Sequence, residues 1–481
     1  VVTRNELAFG VGLDFGTSNS AAAWFDGQDV HMIALEEETV VMPTAVHLDR
    51  VLRARTGTAA IRQYILENQD RIVELTPEVI AQASLVTGEA EAADPFSQPE
   101  ITTSAVYGAA VIDRGLPGRL FRGVKRLIGN AEMKRLMVFD HPFRLVALLT
   151  PMLKAIRQSI ERVVSLTHDQ VIIGRPVHFE GPSGASEVAL ARLSEAAGYA
   201  GLKSNRFYPE PLAATLSYLV QNVRSGVEQQ KGLALTFDFG GGTLDLSLVR
   251  FNGLQMAVLV TSGLAIGGDH IDQLIFKRFI SPHLGKGERW VRRVDGEVIE
   301  TEFPFDEFEA LLLNWPVTYT LNQGKYRSKI RDGIQQGGAA AEKFQRLEEL
   351  ISHNLSYRVF QAIRTAKAAL STTSETIIDV PELDLSIAMG LPEFNDLLQD
   401  LLAQIETLID QTLARAGVDQ SNVDLVIRTG GSSLIASIRL CLEARFPGRV
   451  VVHDPFTSVA AGLSIASYYG HEYDPATTIE R

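Results

Sequence analysis

One pattern constrains this chain more than any other, because it occurs twice. An apolar run, Leu7 to Leu13, ends on Asp14 and is followed by the turn-prone Gly16-Thr17-Ser18-Asn19, a second apolar run from Ala21 to Phe25, an Asp26-Gly27 pair, and a third run from Val30 to Ile33. Far downstream, Leu233 to Phe237 leads to Asp238, then Gly240-Gly241-Gly242-Thr243, Leu244 to Phe251, an Asn252-Gly253 pair, and Leu254 to Val260. Each copy reads as strand, acid, polar turn, strand, tight hairpin, strand, since Asp-Gly and Asn-Gly suit the two-residue turns that join antiparallel strands. A single copy is explained by an aspartate bonding its own turn. Two copies in the same order imply a duplicated β-sheet device, and a chain built as two lobes that each begin with it.

Length agrees with two lobes, because 481 residues exceed the size at which one hydrophobic core stops growing. The 46% hydrophobic and 21% charged content is that of a globular chain with no compositionally disordered segment. Between the repeats, Arg144 to Val164 has helical apolar spacing, and Gln170 to Ile173 reads as a buried strand ahead of Gly174-Arg175-Pro176. After the second repeat, helical patterns cover Asp269 to Phe279, Phe305 to Leu313, Ala340 to Leu370 and Pro392 to Ala416. The end alternates strand Val423 to Ile427, helix Ser433 to Phe446, strand Val450 to Val452 and a small-residue helix from Pro455 to Tyr469. Alternation of this kind indicates an α/β fold. Asp49 to Asp113 and Gly285 to Glu302 are less regular and are expected to form peripheral subdomains or insertions.

Charge and targeting signals narrow the function classes. A net charge of −13 disfavours general attachment to nucleic acid or anionic lipid. The basic stretch from Arg114 to Arg144 runs against that balance and is expected to be mostly a solvated face. Two uncharged runs, Phe251 to Gly268 and Pro455 to Gly470, are respectively broken by turn residues and shorter than the roughly 20 apolar residues of a membrane span. The first residues lack the apolar core of a signal peptide, and the lone Cys441, at an expected buried helix position, rules out an internal disulfide framework. The expectation is a cytoplasmic protein with neither membrane nor nucleic acid as partner.

The two acidic turns carry the chemistry. Polyphosphate needs backbone N–H groups that approach its oxygens closely, and glycine permits this because no Cβ intervenes. Asp14 and Asp238 suit Mg²⁺, held directly or through its waters. Three adjacent glycines at 240–242 weaken a strand, a cost that a purely structural role leaves without a reason. Together the turns are expected to close around one Mg-nucleotide.

Gly12-Leu13-Asp14-Phe15-Gly16-Thr17-Ser18-Asn19-Ser20 resembles the first phosphate motif of the heat-shock protein 70 family, and Phe237 through Asp245 resembles the second. The resemblance spans nearly the whole chain. It implies the actin-like ATPase fold: two lobes, each a mixed β-sheet with flanking helices, plus peripheral subdomains. Lobe I would cover 1–230 with a subdomain near 48–143, and lobe II 231–453 with a subdomain near 266–390, leaving 454–481 as a helix returning to lobe I and a short tail. It further implies ATP/ADP and Mg²⁺ as cofactors. Gly123-Val124-Lys125-Arg126-Leu127-Ile128-Gly129 resembles the segment whose lysine reaches the phosphates, giving Lys125 a catalytic role beside Thr243. Pro209-Glu210-Pro211-Leu212-Ala213-Ala214 resembles a hinge motif in which Glu210 orients metal-bound water or couples the hinge. Nucleotide contacts would fall on Gly16, Thr17, Ser18 and Asn19, on Gly240, Gly241, Gly242 and Thr243, on Gly267 and Gly268, and on Gly430, Gly431, Ser432 and Leu434, with Asp14 and Asp238 for the metal.

The adenosine wall departs from the family pattern. Ala362 to Ser371 looks like the helix forming it, and Lys367 and Ser371 match, but Arg364 replaces a glutamate and Ala368 an arginine that stacks on the base. Leu434 replaces a second stacking arginine, so both guanidinium faces are lost, each worth about 0.5–2 kcal/mol. Arg364 repacked over the base is one possible substitute. The last matched helix ends near Gly470, and His471 to Arg481 cannot hold a peptide-binding β-sandwich, so the resemblance covers the ATPase portion and peptide clamping is not carried over. Four readings stand: a slow Mg-ATP hydrolase acting with protein partners of unknown identity, a non-hydrolysing nucleotide sensor, a small-molecule kinase of the same fold, and a filament former.

Overall fold

A computed structural model describes residues 9–87, 100–113, 115–166, 171–179, 184–202, 206–224, 231–294 and 297–471. The duplicated pattern folds into two sheets of the same topology. The first contains β1 Gly10–Phe15, β2 Asn19–Phe25, β3 Val30–Ile33, β4 Val41–Pro43, β5 Val171–Arg175 and β6 Arg206–Pro209, in the order β6-β5-β1-β2-β3 with β4 also paired to β2. The second contains β7 Lys231–Phe239, β8 Leu244–Asn252, β9 Gln255–Leu264, β10 Leu425–Thr429 and β11 Val450–Val452, in the order β9-β8-β7-β10-β11. Each sheet is an antiparallel meander of three strands whose first member also pairs in parallel with a later strand, β1 with β5 and β7 with β10. This is the two-lobed actin-like architecture.

Register makes the repeat tighter than the sequence alone does. Phe15 pairs with Ser20, and Phe239 with Leu244, so Gly16 to Asn19 and Gly240 to Thr243 are turns of equal length. The strand period of two buries Leu13 and Phe15, and likewise Phe237 and Phe239, which turns Asp14 and Asp238 to the opposite faces.

Four helices position the cleft: α1 Glu210–Arg224, α2 Gly268–Ile275, α3 Ser356–Ala369 and α4 Ser458–Tyr469. α4 lies on β1 with its backbone in contact: a Cβ on Gly10 would overlap the backbone of Ser464 and Tyr468, and one on Gly12 that of Ala460 and Ser464. α4 also crosses α1, where a Cβ on Gly462 would run into the Ala213 carbonyl. Around this crossing, Phe25, Ile172 and Leu212 share one apolar cluster with Val249 and Val258 of the second sheet, so the lobes are joined through a common core.

The structure corrects several expectations. Asp49 to Asp113 is more regular than its composition suggests: the strands Ala45–Asp49, Ala54–Thr56 and Gly118–Arg122 form a three-stranded sheet beside the helix Gly57–Asn68, and Leu75–Thr87 pairs with Glu100–Asp113. Arg289–Val294 and Glu297–Glu302 likewise pair as antiparallel strands. The Asp295-Gly296 signal between them is the same as Asp26-Gly27, but charged neighbours dilute the apolar alternation that marks a strand. Ala340 to Leu370 divides into the helix Ala339–Ser352 and α3, broken at Asn354, whose φ of +51° asparagine tolerates better than most side chains. Pro392 to Ala416 similarly divides into Leu391–Leu397 and Gln399–Ala416. Cys441 is half-buried on the helix Ala436–Arg445, and burial together with the nearby Glu406 carboxylate pushes its thiol up to about 11. Among the described residues no helix is long and apolar enough to cross a membrane.

Candidate functional site

The two glycine turns face each other across a cleft between the lobes. Ser18 of the first turn sits against Gly241 of the second, so that a Cβ on Gly241 would lie 3.2 Å from Ser18 Oγ, and the Arg126 guanidinium fills the space a Cβ on Gly242 would need. The second turn is closed by Gly240 N–H donating to the Thr243 carbonyl at 2.9 Å. Behind it, Gly268 N–H and Ser432 Oγ both donate to the Gly240 carbonyl at 3.0 Å, and Asp269 N–H to the Gly241 carbonyl at 2.7 Å. These bonds hold both carbonyls toward α2.

The floor of the cleft is charged. Lys125 follows Gly123, whose φ of +65° lets the chain turn inward, and its ammonium, 6% exposed, donates to Glu210 Oε1 at 2.7 Å. Glu210 is the first residue of α1, where a carboxylate meets the positive end of the helix. Burial, followed by the Glu210 and Asp238 carboxylates, pushes Asp14 up to about 8 against the opposing pull of Lys125. Asp238 rises to about 7, through burial first and then Asp245 and Glu210, opposed by a Thr429 hydrogen bond and Lys125. Carboxylates crowded in this way favour a proton or a cation. Among the described residues there is no cluster of three or more His, Cys, Asp or Glu side chains that could hold a metal ion.

A pH dependence follows. A carboxyl whose folded pKa lies above its unfolded value contributes stability that is complete below about 4 and is lost as pH rises toward about 8. Asp14→Asn removes the charge, so in metal-free buffer its stability relative to the native protein is expected to increase between pH 5 and pH 8. Denaturant unfolding at both values measures the gap, and a gap independent of pH would contradict the crowding.

The structure distributes the sequence-predicted residues unequally. Gly16, Thr17, Ser18, Asn19, Gly240, Gly241, Gly242, Thr243, Gly430 and Gly431 line the cleft with Asp14, Lys125, Glu210 and Asp238. Gly267, Gly268, Arg364, Lys367, Ser371, Ser432 and Leu434 stand outside its lining. Arg364 Nε donates to Asp272 Oδ2 at 3.0 Å and its other arm approaches Asp269 at 3.5 Å, while Lys367 pairs with Asp272 and donates to the Gly268 carbonyl at 3.0 Å. Asp272 is 1% exposed, and two cations offset the burial of its charge. Arg364 is thus engaged in an ion-pair cluster with Asp272, Asp269 and Lys367.

Two features escape the sequence. The basic stretch is not mainly a solvated face: Lys134, Arg135 and Arg144 are exposed, but Lys125 is buried, Arg126 backs the second turn, and Arg122 lies over the Trp315 ring, 5.2 Å from its centroid. Arg114 lies outside the described residues. The lobes also meet at their peripheral parts. Tyr64 Oη donates to the Pro316 carbonyl at 2.5 Å, Asp70 N–H to that of Ser352 at 2.7 Å and Val73 N–H to that of Asn322 at 2.9 Å, and Arg71 stacks on Tyr319. Partners so distant in sequence leave no local signal.

Comparison with known proteins agrees with this geometry. The chain is 23% identical over 465 residues to "Heat shock 70 kDa protein, mitochondrial" of Solanum tuberosum, covering 94% of this chain and 54% of that protein. It is 21% identical over 476 residues to "Chaperone protein dnaK" of Thalassiosira pseudonana, covering 96% of this chain and 63% of that one. The chain therefore spans between half and two thirds of the length of these relatives. The family model described as Hsp70 protein matches residues 127–289 and 340–466, more than half of the sequence. With two lobes of one topology and paired glycine turns above a charged floor, the chain belongs to the Hsp70 family.

Proposed function

We propose that this chain binds ATP and ADP with Mg²⁺ in the interlobe cleft and hydrolyses ATP slowly, using the hydrolysis to change the relation of its lobes. The observation that carries the reading is the convergence of two equivalent glycine turns, one from each lobe, on a floor holding Asp14, Lys125, Glu210 and Asp238. Membership of a family of ATP-binding, chaperone-like proteins supports it.

Roles follow from placement. The turns would cradle phosphates with backbone N–H groups, and Asp14 and Asp238 would hold Mg²⁺ directly or through its waters. The bound metal would neutralise charge on the phosphates. Lys125, tied to Glu210, places an ammonium beside the transferring phosphoryl group, and Thr243 supports the attacking water. Opening the lobes about the α1–α4 crossing requires parting the Tyr64, Asp70 and Val73 contacts, so nucleotide state and peripheral contact would be linked. In this reading lobe I comprises 1–230, lobe II 231–453, and 454–481 returns to lobe I. The output would go to protein partners, in keeping with membership of the Hsp70 family.

Single-turnover hydrolysis with labelled ATP, water being the sole acceptor, tests the reading. Release of phosphate by the native protein supports a hydrolase. ATP binding without phosphate release would make the cleft a nucleotide sensor.

A further inference from the structure

One phenylalanine of the cleft lining serves neither the phosphate chemistry nor the core. Phe456 is 50% exposed, the only exposed phenylalanine among the described residues, and it lines the cleft just before α4. Its ring lies against Gly431 so closely that a Cβ there would sit 2.7 Å from Phe456 Cε1. The main chain that carries the ring is tied to this wall, because Gly430 N–H donates to the carbonyl of the adjacent Pro455 at 2.9 Å. Gly430 in turn packs on the end of β7, where a Cβ would overlap the Phe239 carbonyl. An aromatic face is thereby fixed on the wall that begins at the second phosphate turn. Meanwhile Ala368 and Leu434 offer no π face, and Arg364 is held by Asp272 and Asp269.

We propose that Phe456 is the base-stacking platform of this cleft. It carries the nucleobase on its exposed ring, where Ala368 and Leu434 supply no stacking face. This deepens the nucleotide reading and rests on it. Stacking on a ring without donors or acceptors tolerates any base and rewards area, so purines are preferred over pyrimidines, with little discrimination between adenine and guanine.

Calorimetric titration of ATP, GTP, CTP and inorganic tripolyphosphate, each with Mg²⁺, tests this on the native protein, Phe456→Ala and Phe456→Trp. The expected result is that Phe456→Ala weakens ATP and GTP by on the order of tenfold, leaves tripolyphosphate unchanged, and is rescued by Phe456→Trp. Unchanged ATP affinity in Phe456→Ala overturns the proposal, as does equal loss for ATP and tripolyphosphate, which would make the ring only a support for the glycine wall. Native protein that binds ATP no more tightly than tripolyphosphate overturns the stacking role alone. Failure of the native protein to bind either ligand overturns the nucleotide reading and the stacking role together.

Discussion

Lys125→Ala is expected to slow single-turnover ATP hydrolysis by on the order of 10²–10³-fold while changing ATP affinity only a few-fold. The reason is where the ammonium sits. It is 6% exposed, fixed by a 2.7 Å bond to Glu210, and close enough to Asp14 and Asp238 to oppose the rise of both carboxyls. Ground-state phosphates have the backbone donors of two turns to hold them, but charge that redistributes during transfer needs a fixed cation already in place. Equal losses in affinity and rate would make Lys125 a ground-state phosphate ligand. No loss in either would reduce it to the counter-ion of Glu210.

Gly462→Val is expected to destabilise the protein by about 3 kcal/mol or more, although leaving glycine usually favours a helix by up to about 1 kcal/mol. Residue 462 lies within α4, where any Cβ meets the main-chain carbonyl of Ala213 on α1. A backbone atom cannot rotate away as a flexible side chain does, so one helix must shift. That shift propagates, because α4 is also seated on β1 at Gly10 and Gly12. Denaturant unfolding should show a lower midpoint for Gly462→Val, and a midpoint equal to or above the native value would mean that the crossing is loosely packed.

What the sequence reveals of this fold is what repeats locally. The duplicated run of strand, aspartate, glycine turn and hairpin appears in the two sheets with the same strand order, and Val30–Ile33 and Val450–Val452 have the bounds that their apolar pattern predicts. Helix breaks are less legible: Asn354 stands in an unbroken helical period, but its backbone is left-handed and its side-chain Nδ2 donates to the Ile65 carbonyl in the other lobe at 3.4 Å. The fate of the basic stretch is hidden for a related reason, since Arg122 meets Trp315 only across the lobes and Lys125 meets Glu210, distant in sequence, only once the chain has folded. Arg364 reads as a departure from the adenosine wall, and its partner Asp272 lies too far along the chain for any periodicity to connect them. Phe456 looks like the start of an ordinary helix until its ring is seen against Gly431.

The central claim is that one Mg-nucleotide is clasped by equivalent turns from both lobes. Isothermal titration of Mg-ATP into the native protein, Asp14→Ala and Asp238→Ala tests it most directly, because each substitution disables one lobe's half of the site. The account predicts one ATP per native chain, with Mg²⁺-dependent affinity reduced in each variant while both remain folded. Native Mg-ATP affinity retained in both variants would contradict it.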